Sequence, residues 1–583
     1  MRVWRSLASL GLLVTGATAL MALMGCVGDK EALTQGPYSV PGLPGSTSAE
    51  RPNILLIVAD DLGYADLGIY GSEIATPNLD ALARSGVMFT QFYASPMCSP
   101  TRAMLLTGMD NHRAGLGSMA ERLAGNQQGQ PGYEGYLNSR AVTLAEVLRD
   151  AGYRTYMTGK WHLGEPGVAD PPLRGFEQSF ALLDSGAGHF SNRLSLGGPE
   201  MAPYFENGKP VEHLPRDFYS TRFYAQKLIE YLDADRNDDR PFFAYLAFTA
   251  PHFPLQAPEE SIARYRGLYD AGYEAVQARR LSTMRDLGLV AADAHPFPRL
   301  VGELAWEKLS PEQQKAQARL MEIYAAMVGD LDAQVGEVIR FLRRRREYDS
   351  TIIVFMSDNG PEGHHLEQGL ERLAEWSRQC CNNEYDNMGR ADSYLMQGPD
   401  WARVSATPFR MFKGFTSEGG IRVAAFISYP RRIAGGRTYR GLATVMDVMP
   451  TLLDLAGAEH PGESFQGRKL LPMQGRSMLP MLRGVSGTVH DNDAVLGWEL
   501  FGKRAIRRGD WKIVREASQV KWWQSDPLGI RRDSWQLYNL TTDPAELNDL
   551  SAQHPAQLQH MIDQWDVYAR GNGVIIPDEI RNY

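Results

Sequence analysis

The stretch RPNILLIVADDLGYADLG, residues 51–68, decides the fold. Its apolar run from Asn53 to Val58 is continuous and rich in Ile, Leu and Val, which is typical of a strand buried on both faces of a parallel sheet. The run ends in Asp60-Asp61. The following segment, TPNLDALARSGVMFTQFYA, predicts a helix and then a second strand over residues 87–92. The order strand, loop, helix, strand indicates an α/β architecture.

The same pattern recurs along the chain. Further helices are predicted over residues 143–150 and within 322–345, and further strands end at residues 157, 248 and 357. Alternating strands and helices predict a large, mostly parallel sheet with helices on both faces, and ligands bind beyond the carboxyl ends of such strands. From residue 489 onward, short strands separated by turns and a terminal amphipathic helix predict a small antiparallel sheet with a helix packed on it.

The composition limits the class of protein. The chain has 583 residues, more than one compact core usually holds, so two domains are expected. Hydrophobic residues make up 43% and charged residues 22%, which is ordinary for a soluble globular protein. The net charge of −9 argues against a nucleic-acid partner.

Residues 1–26 are predicted to be a lipoprotein signal peptide. Arg2 and Arg5 form a short basic region, an apolar stretch follows from Leu7 to Met24, and LMGC ends at Cys26. A basic start, an apolar middle and a small residue before the break are typical of a signal peptide. LMGC resembles the bacterial lipobox, whose cysteine is lipidated and becomes the first residue of the mature chain. An uncleaved transmembrane anchor is the alternative, because the apolar run is almost long enough to span a bilayer.

Residues 27–50 are rich in Gly, Pro and Ser without an apolar period, which is typical of a flexible tether. The sequence therefore predicts four parts: the signal peptide (1–26), the tether (27–50), a large catalytic domain (51–488) and a C-terminal α+β subdomain (489–583). An exported protein is expected, held by its lipid anchor in the bacterial periplasm or at the cell surface.

Two acidic pairs end buried strands: Asp60-Asp61 and Asp358-Asn359. Unpaired carboxylates at the rim of a core are costly, and a divalent cation compensates for them. Three carboxylates and one amide oxygen suit Ca²⁺, with Mg²⁺ or Mn²⁺ as alternatives. Neither pair contains Cys or His, which disfavours zinc. Helix capping is the other interpretation of each pair.

Two lysines and two histidines also follow strand-like stretches. Lys160 and His162 lie in TGKWHLG, where alternation places them on the same side, His252 lies in APHFP, and Lys413 lies in FRMFKGFTSEGG. Near a cation, the lysines would neutralise oxyanions and the histidines would move protons near neutral pH. Taken singly, a lysine is usually a solvated surface charge, and a histidine beside proline is often a loop residue.

The chain has four cysteines, and the sequence predicts no disulfide framework. Cys26 is assigned to the lipid. Cys380 and Cys381 are adjacent, and neighbours rarely form a relaxed disulfide. Cys98 has no evident partner.

Cys98 precedes Ser99, Pro100 and Thr101, which predict the start of a helix. A thiolate at a helix N-terminus could act as a nucleophile. A soft thiolate is, however, a poor partner for a hard, oxygen-liganded cation. The residues alone leave this conflict open.

The segment CSPTR, followed by AMLLTG, resembles the signature of the type I sulfatases, in which a maturation enzyme reads Cys-x-Pro-x-Arg and oxidises the cysteine to Cα-formylglycine. The resemblance runs from Arg51 into the C-terminal domain and includes PNILLIVADDLGY, GKWHLG, APHFPLQAP, MSDNG, KGFTSEGGIRV and GDWK. It is strongest to bacterial arylsulfatases of the Pseudomonas type, within the alkaline phosphatase-like superfamily, and implies that fold.

The resemblance also implies roles for the residues singled out above. The aldehyde hydrates to a gem-diol, one hydroxyl of which attacks sulfur. Arg102 would steady the diol, and Lys160 and Lys413 would hold the sulfate oxygens. His252, with Lys413, would protonate the leaving alkoxide, and His162 would help to take the proton from the second hydroxyl, which expels sulfate. The implied Ca²⁺ ligands are Asp60, Asp61, Asp358, Asn359 and the modified Cys98.

The predicted function is hydrolysis of sulfate monoesters, of the arylsulfatase type, to an alcohol or phenol and sulfate. A phosphodiesterase or phosphonate monoester hydrolase of the same superfamily is the alternative enzyme, because such relatives share the metal site. A non-catalytic lipoprotein that binds sulfated glycans is the alternative from another class. The implied partners are a sulfate ester, the formylglycine-generating enzyme and a membrane.

Overall fold

The computed structural model describes residues 51–300, 302–366, 371–516 and 534–578. The predicted signal peptide, with Cys26, and the predicted tether lie outside these residues. No helix of the described part of the chain is both long and apolar enough to cross a membrane.

A large mixed sheet forms the centre of the protein. Its strands are β1 (Asn53–Ala59), β2 (Val87–Tyr93), β3 (Arg154–Lys160), β4 (Gln178–Leu182), β5 (Tyr204–Glu206), β6 (Lys209–Pro210), β7 (Phe242–Ala247), β8 (Thr351–Ser357), β9 (Arg422–Ser428), β10 (Arg437–Tyr439) and β11 (Ala443–Thr444).

The strand order is β10-β2-β9-β8-β1-β7-β3-β4-β5-β6, with β11 also paired to β2. The central strands β8, β1, β7, β3 and β4 are parallel, whereas β9 runs antiparallel to both β2 and β8. The prediction of a mostly parallel sheet is confirmed.

Helices cover both faces of this sheet. The α-helices of the described residues are α1 (Pro77–Arg84), α2 (Cys98–Thr107), α3 (Asn111–Ala114), α4 (Leu144–Asp150), α5 (Ser220–Ala234), α6 (Glu259–Ile262), α7 (Gly272–Asp286), α8 (Pro311–Arg344), α9 (Glu371–Cys380), α10 (Pro399–Ser405), α11 (Glu418–Ile421), α12 (Val448–Ala456), α13 (Leu479–Leu482) and α14 (Pro555–Asn572). Of these, α14 packs on the C-terminal sheet and not on this one.

The strand β1 is buried on both faces, as its continuous apolar run predicts. Leu55 and Ile57 lie in a core cluster with residues of α5 and α8, whereas Ile54, Leu56 and Val58 lie in a second cluster with residues of α2, α4 and α12. All five side chains are fully buried. Burial from both sides fixes the position of the strand's carboxyl end.

Local sequence signals set the starts of two of these helices. At α4, Thr143 accepts from the Glu146 N–H and the Glu146 side chain accepts from the Thr143 N–H. At α8, Ser310 and Gln313 make the same reciprocal pair, and Pro311 occupies the first turn. Such pairs satisfy backbone donors that have no partner inside the helix.

The C-terminal part contains a separate antiparallel sheet, as predicted. Its strands β14 (Val495–Leu500), β15 (Lys503–Arg508), β16 (Trp511–Arg515) and β17 (Gln536–Asn539) pair in sequence order, and α14 packs on them through Met561 and Trp565. A short hairpin, β12 (Ser464–Phe465) and β13 (Arg468–Lys469), precedes this sheet in the chain. The predicted boundary at residues 488/489 stays a prediction.

The structure corrects one statement about the cysteines. Cys380 and Cys381, at the end of α9, form a disulfide, although adjacent cysteines rarely pair. Cys98 is free, as the sequence predicts, and it is buried.

Candidate active site

The predicted site residues meet at the carboxyl edge of the central strands. Asp60 and Asp61 directly follow β1, and Asp358 and Asn359 directly follow β8. The register pairs Ala59 of β1 with Ser357 of β8, so the two acidic pairs leave the sheet side by side. The other members come from β3, the β7–α6 loop, the start of α2 and the loop before α11: Lys160, His252, Cys98 with Arg102, and Lys413.

Buried ion pairs and one hydrogen bond join β3 and the start of α2 to the acidic residues that follow β1 and β8. Lys160 Nζ lies 2.7 Å from Asp60 Oδ2. Arg102 donates from Nε and Nη2 to Asp358 Oδ2 at 3.0 and 2.8 Å. The Cys98 thiol donates to Asp60 Oδ1 at 3.4 Å. These side chains are at most 1% exposed, so the charges hold one another in place without solvent.

A second group surrounds Asp61. Lys413 Nζ donates to Asp61 Oδ2 at 2.8 Å and lies 3.4 Å from Glu362 Oε2. His252 Nε2 lies 3.6 Å from the same Asp61 oxygen. The sequence analysis missed Glu362, although it stands four residues after Asp358 in the polar run that follows β8.

The oxygen atoms at this edge fit a divalent cation. Asn359 Nδ2 donates to Asp61 Oδ1 at 2.7 Å, while Asn359 Oδ1 is buried and has no hydrogen-bond partner among the described residues. A buried amide oxygen without a donor costs free energy, and a cation would satisfy it. Together with the three carboxylates it forms a donor set for a hard cation.

The fold also brings softer ligands to this place. One ligand atom from each of Asp60, Asp61, Cys98 and His252 can be chosen so that all lie within 4.8 Å of one another. The two acidic pairs contain no thiol or imidazole, the ligands that zinc prefers, but the folded chain brings one of each to them. The identity of the ion is therefore not fixed by the acidic pairs.

The buried charges shift the acidities of the carboxyls. Burial opposes ionisation of Asp60, but the surrounding cationic groups, Lys160 foremost, together outweigh burial and hold the pKa of this carboxyl well below its usual range. Burial raises the pKa of Asp61 to about 8, although Lys413 opposes the shift. Two adjacent carboxyls thus have different proton affinities because each has different neighbours.

His252 presents one nitrogen to the site. Its Nδ1 lies 2.6 Å from the Phe253 carbonyl oxygen, which can only accept, so Nδ1 carries a proton. Burial, and then Lys413, lower the pKa of His252 well below its usual value. His189 Nε2 lies 3.0 Å from the His252 carbonyl oxygen and supports this loop. The result is a neutral imidazole with Nε2 facing Asp61.

His162 reaches the site differently from the prediction. The strand β3 ends at Lys160, and His162 has a φ of +56°, so the assumed alternation does not continue through it. Lys160 points to Asp60, whereas His162 Nε2 lies 3.3 Å from Glu121 Oε1. His162 Nδ1 is buried without a partner among the described residues.

A cavity of about 870 Å³ leads from solvent to these groups. Its lining includes Cys98, His162 and His252. Much of the remaining wall comes from loops at residues 119–122, 164–168, 183–186 and 195–197. A cavity of this size holds a substrate considerably larger than a sulfate group.

His112 lies outside the cavity lining. Its Nδ1 lies 2.8 Å from Asp110 Oδ1 and its Nε2 lies 3.4 Å from Glu499 Oε2 of β14. It connects α3 to the C-terminal sheet.

Comparisons with known proteins show what the chain resembles. A family model described as Sulfatase matches residues 52–458, and a model described as N-sulphoglucosamine sulphohydrolase, C-terminal, matches residues 409–566. An uncharacterized sulfatase of Schizosaccharomyces pombe is 43% identical over 91% of this chain and 96% of its own length. An arylsulfatase of Klebsiella aerogenes is 41% identical over 74% of this chain and 91% of its own length.

A similar solved structure is the crystal structure of Ps i-CgsB in complex with k-i-k-neocarrahexaose. It has a TM-score of 0.63 and 25% identity, and the match covers 91% of this chain and 95% of that one. The likeness therefore spans both the large sheet and the C-terminal sheet.

Proposed function

Because the chain belongs to the sulfatase family and is a sulfuric ester hydrolase with the alkaline phosphatase-like fold, we propose that it hydrolyses aryl or small alkyl sulfate monoesters by means of a formylglycine made from Cys98 and a bound Ca²⁺. The observation that carries this proposal is the position of Cys98. Cys98 is the first residue of α2, and it is 1% exposed. Its thiol contacts Asp60 and lines the cavity.

Formylglycine resolves the conflict between a thiol and a hard cation. When hydrated, it would supply a hydroxyl nucleophile and a hard oxygen where the cysteine supplies sulfur. Arg102 lies four residues after Cys98 on the same helix, and its side chain is fully buried against Asp358. That placement allows Arg102 to orient an oxygen at position 98 without competition from water.

The proposed cation site consists of the oxygens of Asp60, Asp61, Asp358 and Asn359, together with the modified residue 98. The ion would supply charge neutralisation at the sulfate oxygens and at the nucleophile. The buried Asn359 Oδ1 without a partner among the described residues supports this assignment.

The surrounding side chains bind sulfate and move protons. Lys160 and Lys413 are fully buried cations that face the acidic pairs, and they would hold sulfate oxygens as charge develops. His252, with Lys413, would protonate the leaving oxygen: Nδ1 holds its proton toward Phe253, so Nε2 would pass on a proton taken from Lys413, which contacts the same Asp61 oxygen. His162 would accept a proton at Nδ1, since its Nε2 faces Glu121.

A matched set of substrates separates the two enzyme readings. With 4-nitrophenol as the common leaving group, we expect kcat/KM for the sulfate to exceed that for the phosphate monoester and diester by at least about tenfold. The measurement is release of 4-nitrophenol by the holoenzyme from all three esters. A faster phosphate reaction would favour the phosphodiesterase or phosphonate monoester hydrolase reading. The family assignment already favours a hydrolase over a non-catalytic glycan-binding protein.

Metal removal tests the proposed Ca²⁺ site. Titrating Ca²⁺ to about 100 times its Kd into chelator-treated protein should stabilise the fold by roughly 2.7 kcal/mol, because the ion binds only the folded chain. Thermal unfolding and elemental analysis measure this effect and the ion's identity. Asp358→Asn should lose the shift, whereas Asp454→Asn, an exposed carboxylate on α12, should keep it. An equal response to Mg²⁺, or zinc in the purified protein, would contradict the assignment of Ca²⁺.

A sulfated saccharide is the second candidate substrate. The cavity of about 870 Å³ is larger than an aryl group requires, and the similar Ps i-CgsB structure was solved with a neocarrahexaose. The natural ester therefore need not be aromatic.

The remaining parts of the proposal rest on the N-terminal and motif sequences. LMGC before residue 27 supports an exported protein with a lipid anchor in the periplasm or at the cell surface, and CSPTR supports a formylglycine-generating enzyme as partner.

A further inference from the structure

The outer part of the cavity carries an excess of carboxylates. Glu121, Glu165 and Asp184 line the same cavity as Cys98 and His252. The side chain of Glu121 is 41% exposed, and Glu165 and Asp184 are exposed residues. The reacting groups lie at the buried end of the cavity, where Cys98 and His252 are 1% and 2% exposed. A substrate bound at Cys98 therefore extends outward past Glu121, Glu165 and Asp184, which we call the acidic wall.

Few cations within the described residues balance this wall. Glu121 contacts His162, a histidine whose pKa burial lowers, and no hydrogen bond or ion pair joins the side chain of Glu165 or Asp184 to a described residue. Arg122 is the one arginine or lysine among the described residues of the lining. Glu134 also lines the cavity, but we do not count it in the acidic wall because its Oε1 lies 3.7 Å from Arg140 Nη2. Three carboxylates thus face one arginine.

The carboxylates are close enough to influence one another. Burial, and then the neighbouring Glu121, Glu165 and Glu200, raise the pKa of Asp184 to about 6. The part of this shift that comes from the neighbouring carboxylates is repulsion, and an added cation would offset it.

The wall is not arranged as a metal site. Among the described residues, the group that could hold a metal ion with closely spaced ligand atoms is Asp60, Asp61, Cys98 and His252. The wall carboxylates come from three separate loops and do not form such a group. Spread carboxylates suit an organic cation, whose charge and hydrogen-bond donors extend over several ångströms.

We propose that the preferred substrate is zwitterionic: a sulfate monoester whose leaving alcohol carries an ammonium group, bound with its sulfate at Lys160 and Lys413 and its ammonium at the acidic wall. This inference rests on the proposed sulfatase function and extends it to the leaving group. The reaction consumes water and the ester, breaks the bond between sulfur and the ester oxygen, and releases an amino alcohol or aminophenol with sulfate. A second anionic group would face the wall, so polysulfated glycans are disfavoured.

Three phenyl sulfates with similar phenols test the charge preference. Tyramine O-sulfate carries an ammonium, the phenolic sulfate of tyrosol carries a hydroxyl at the same position, and the O-sulfate of 4-hydroxyphenylacetate carries a carboxylate. We expect kcat/KM of the holoenzyme to fall roughly tenfold at each step in this order, an effect that a few partly exposed charge pairs can supply. Equal values, or a preference for the carboxylate, would overturn the proposal.

Variants link the preference to the wall. In the double variant Asp184→Asn, Glu165→Gln, the ratio of kcat/KM between the ammonium and hydroxyl substrates should fall to within about twofold. Glu337→Gln removes the same charge from an exposed residue of α8 that is paired with Arg340, and it should leave that ratio as in the wild type. An unchanged ratio in the double variant would show that other groups select the substrate.

Binding without turnover separates this inference from the proposed function. Calorimetric titration of the Cys98→Ala variant with the three sulfates should give the same order of affinities. That order would support the acidic wall even if the wild-type protein hydrolysed none of the esters, which would instead contradict the proposed function. Equal affinities would overturn the inference even with an active enzyme.

Discussion

Cys98→Ala is expected to lower kcat/KM for 4-nitrophenyl sulfate by at least about 10⁴-fold, because it removes the atom on which the proposed nucleophile is built. The thiol occupies the closed end of the cavity, 3.4 Å from Asp60 and beside Lys160. Among the described residues, Ser99, Ser185 and Ser195 also line the cavity, but no hydrogen bond joins their hydroxyls to Asp60 or Lys160, so none of them replaces the thiol. Release of 4-nitrophenol by wild type and variant measures the effect.

Mass spectrometry tests whether Cys98 has been converted to an aldehyde. The tryptic peptide from Ser85 to Arg102 of active wild-type protein should contain an aldehyde in place of the thiol. Cys98→Ser, which supplies a single hydroxyl in place of the thiol and lacks the second hydroxyl of a hydrated aldehyde, should also fail to sustain turnover. Full activity with an unmodified Cys98, or a fast serine variant, would refute the proposed nucleophile.

Lys160→Ala is expected to have the second largest effect, on activity and stability together. The Nζ atom lies 2.7 Å from Asp60 Oδ2, and both side chains are fully buried. Removing one partner of a buried pair leaves an uncompensated charge, which costs about 3 kcal/mol in the free energy of unfolding. The same change removes a cation from the proposed sulfate site, so kcat/KM should fall by about 10³-fold.

Two further variants make the lysine result specific. Lys160→Arg keeps the charge and should recover part of the stability but less of the activity, since a guanidinium differs in shape from an ammonium. Lys209→Ala removes an exposed lysine from β6 and should change neither quantity measurably. Urea unfolding and 4-nitrophenyl sulfate kinetics are the measurements. Unchanged kinetics of Lys160→Ala would exclude this lysine from sulfate binding.

The sequence predicted those parts of the protein whose residues repeat a physical pattern. The run from Asn53 to Val58 predicted a doubly buried strand because burial on both faces permits no polar alternation, and β1 is such a strand. Polar pairs at the ends of parallel strands converge because the strands are parallel and in register. For that reason, the sequence alone predicted that Asp60 and Asp358 lie close together.

The parts that the sequence did not predict depend on loops and long-range contacts. Glu121 lies on a single turn of 3-10 helix and Asp184 on an irregular segment about sixty residues later, and no periodicity connects them to the cavity. His162 leaves the strand pattern because its backbone adopts a positive φ, which an alternation argument does not anticipate. The Cys380–Cys381 disulfide likewise contradicts a rule that describes what is common and not what is allowed.

The burial of CSPTR in the folded chain determines when the proposed conversion of Cys98 can take place. All five residues lie in the first turns of α2 and are buried in the folded chain. An enzyme that oxidises Cys98 after reading Pro100 and Arg102 needs them extended and accessible, so the proposed conversion has to precede folding. Synthesis, conversion and folding then compete as rates. A host that folds this chain quickly, or supplies too little of the converting enzyme, would accumulate a well-folded protein that can never become active.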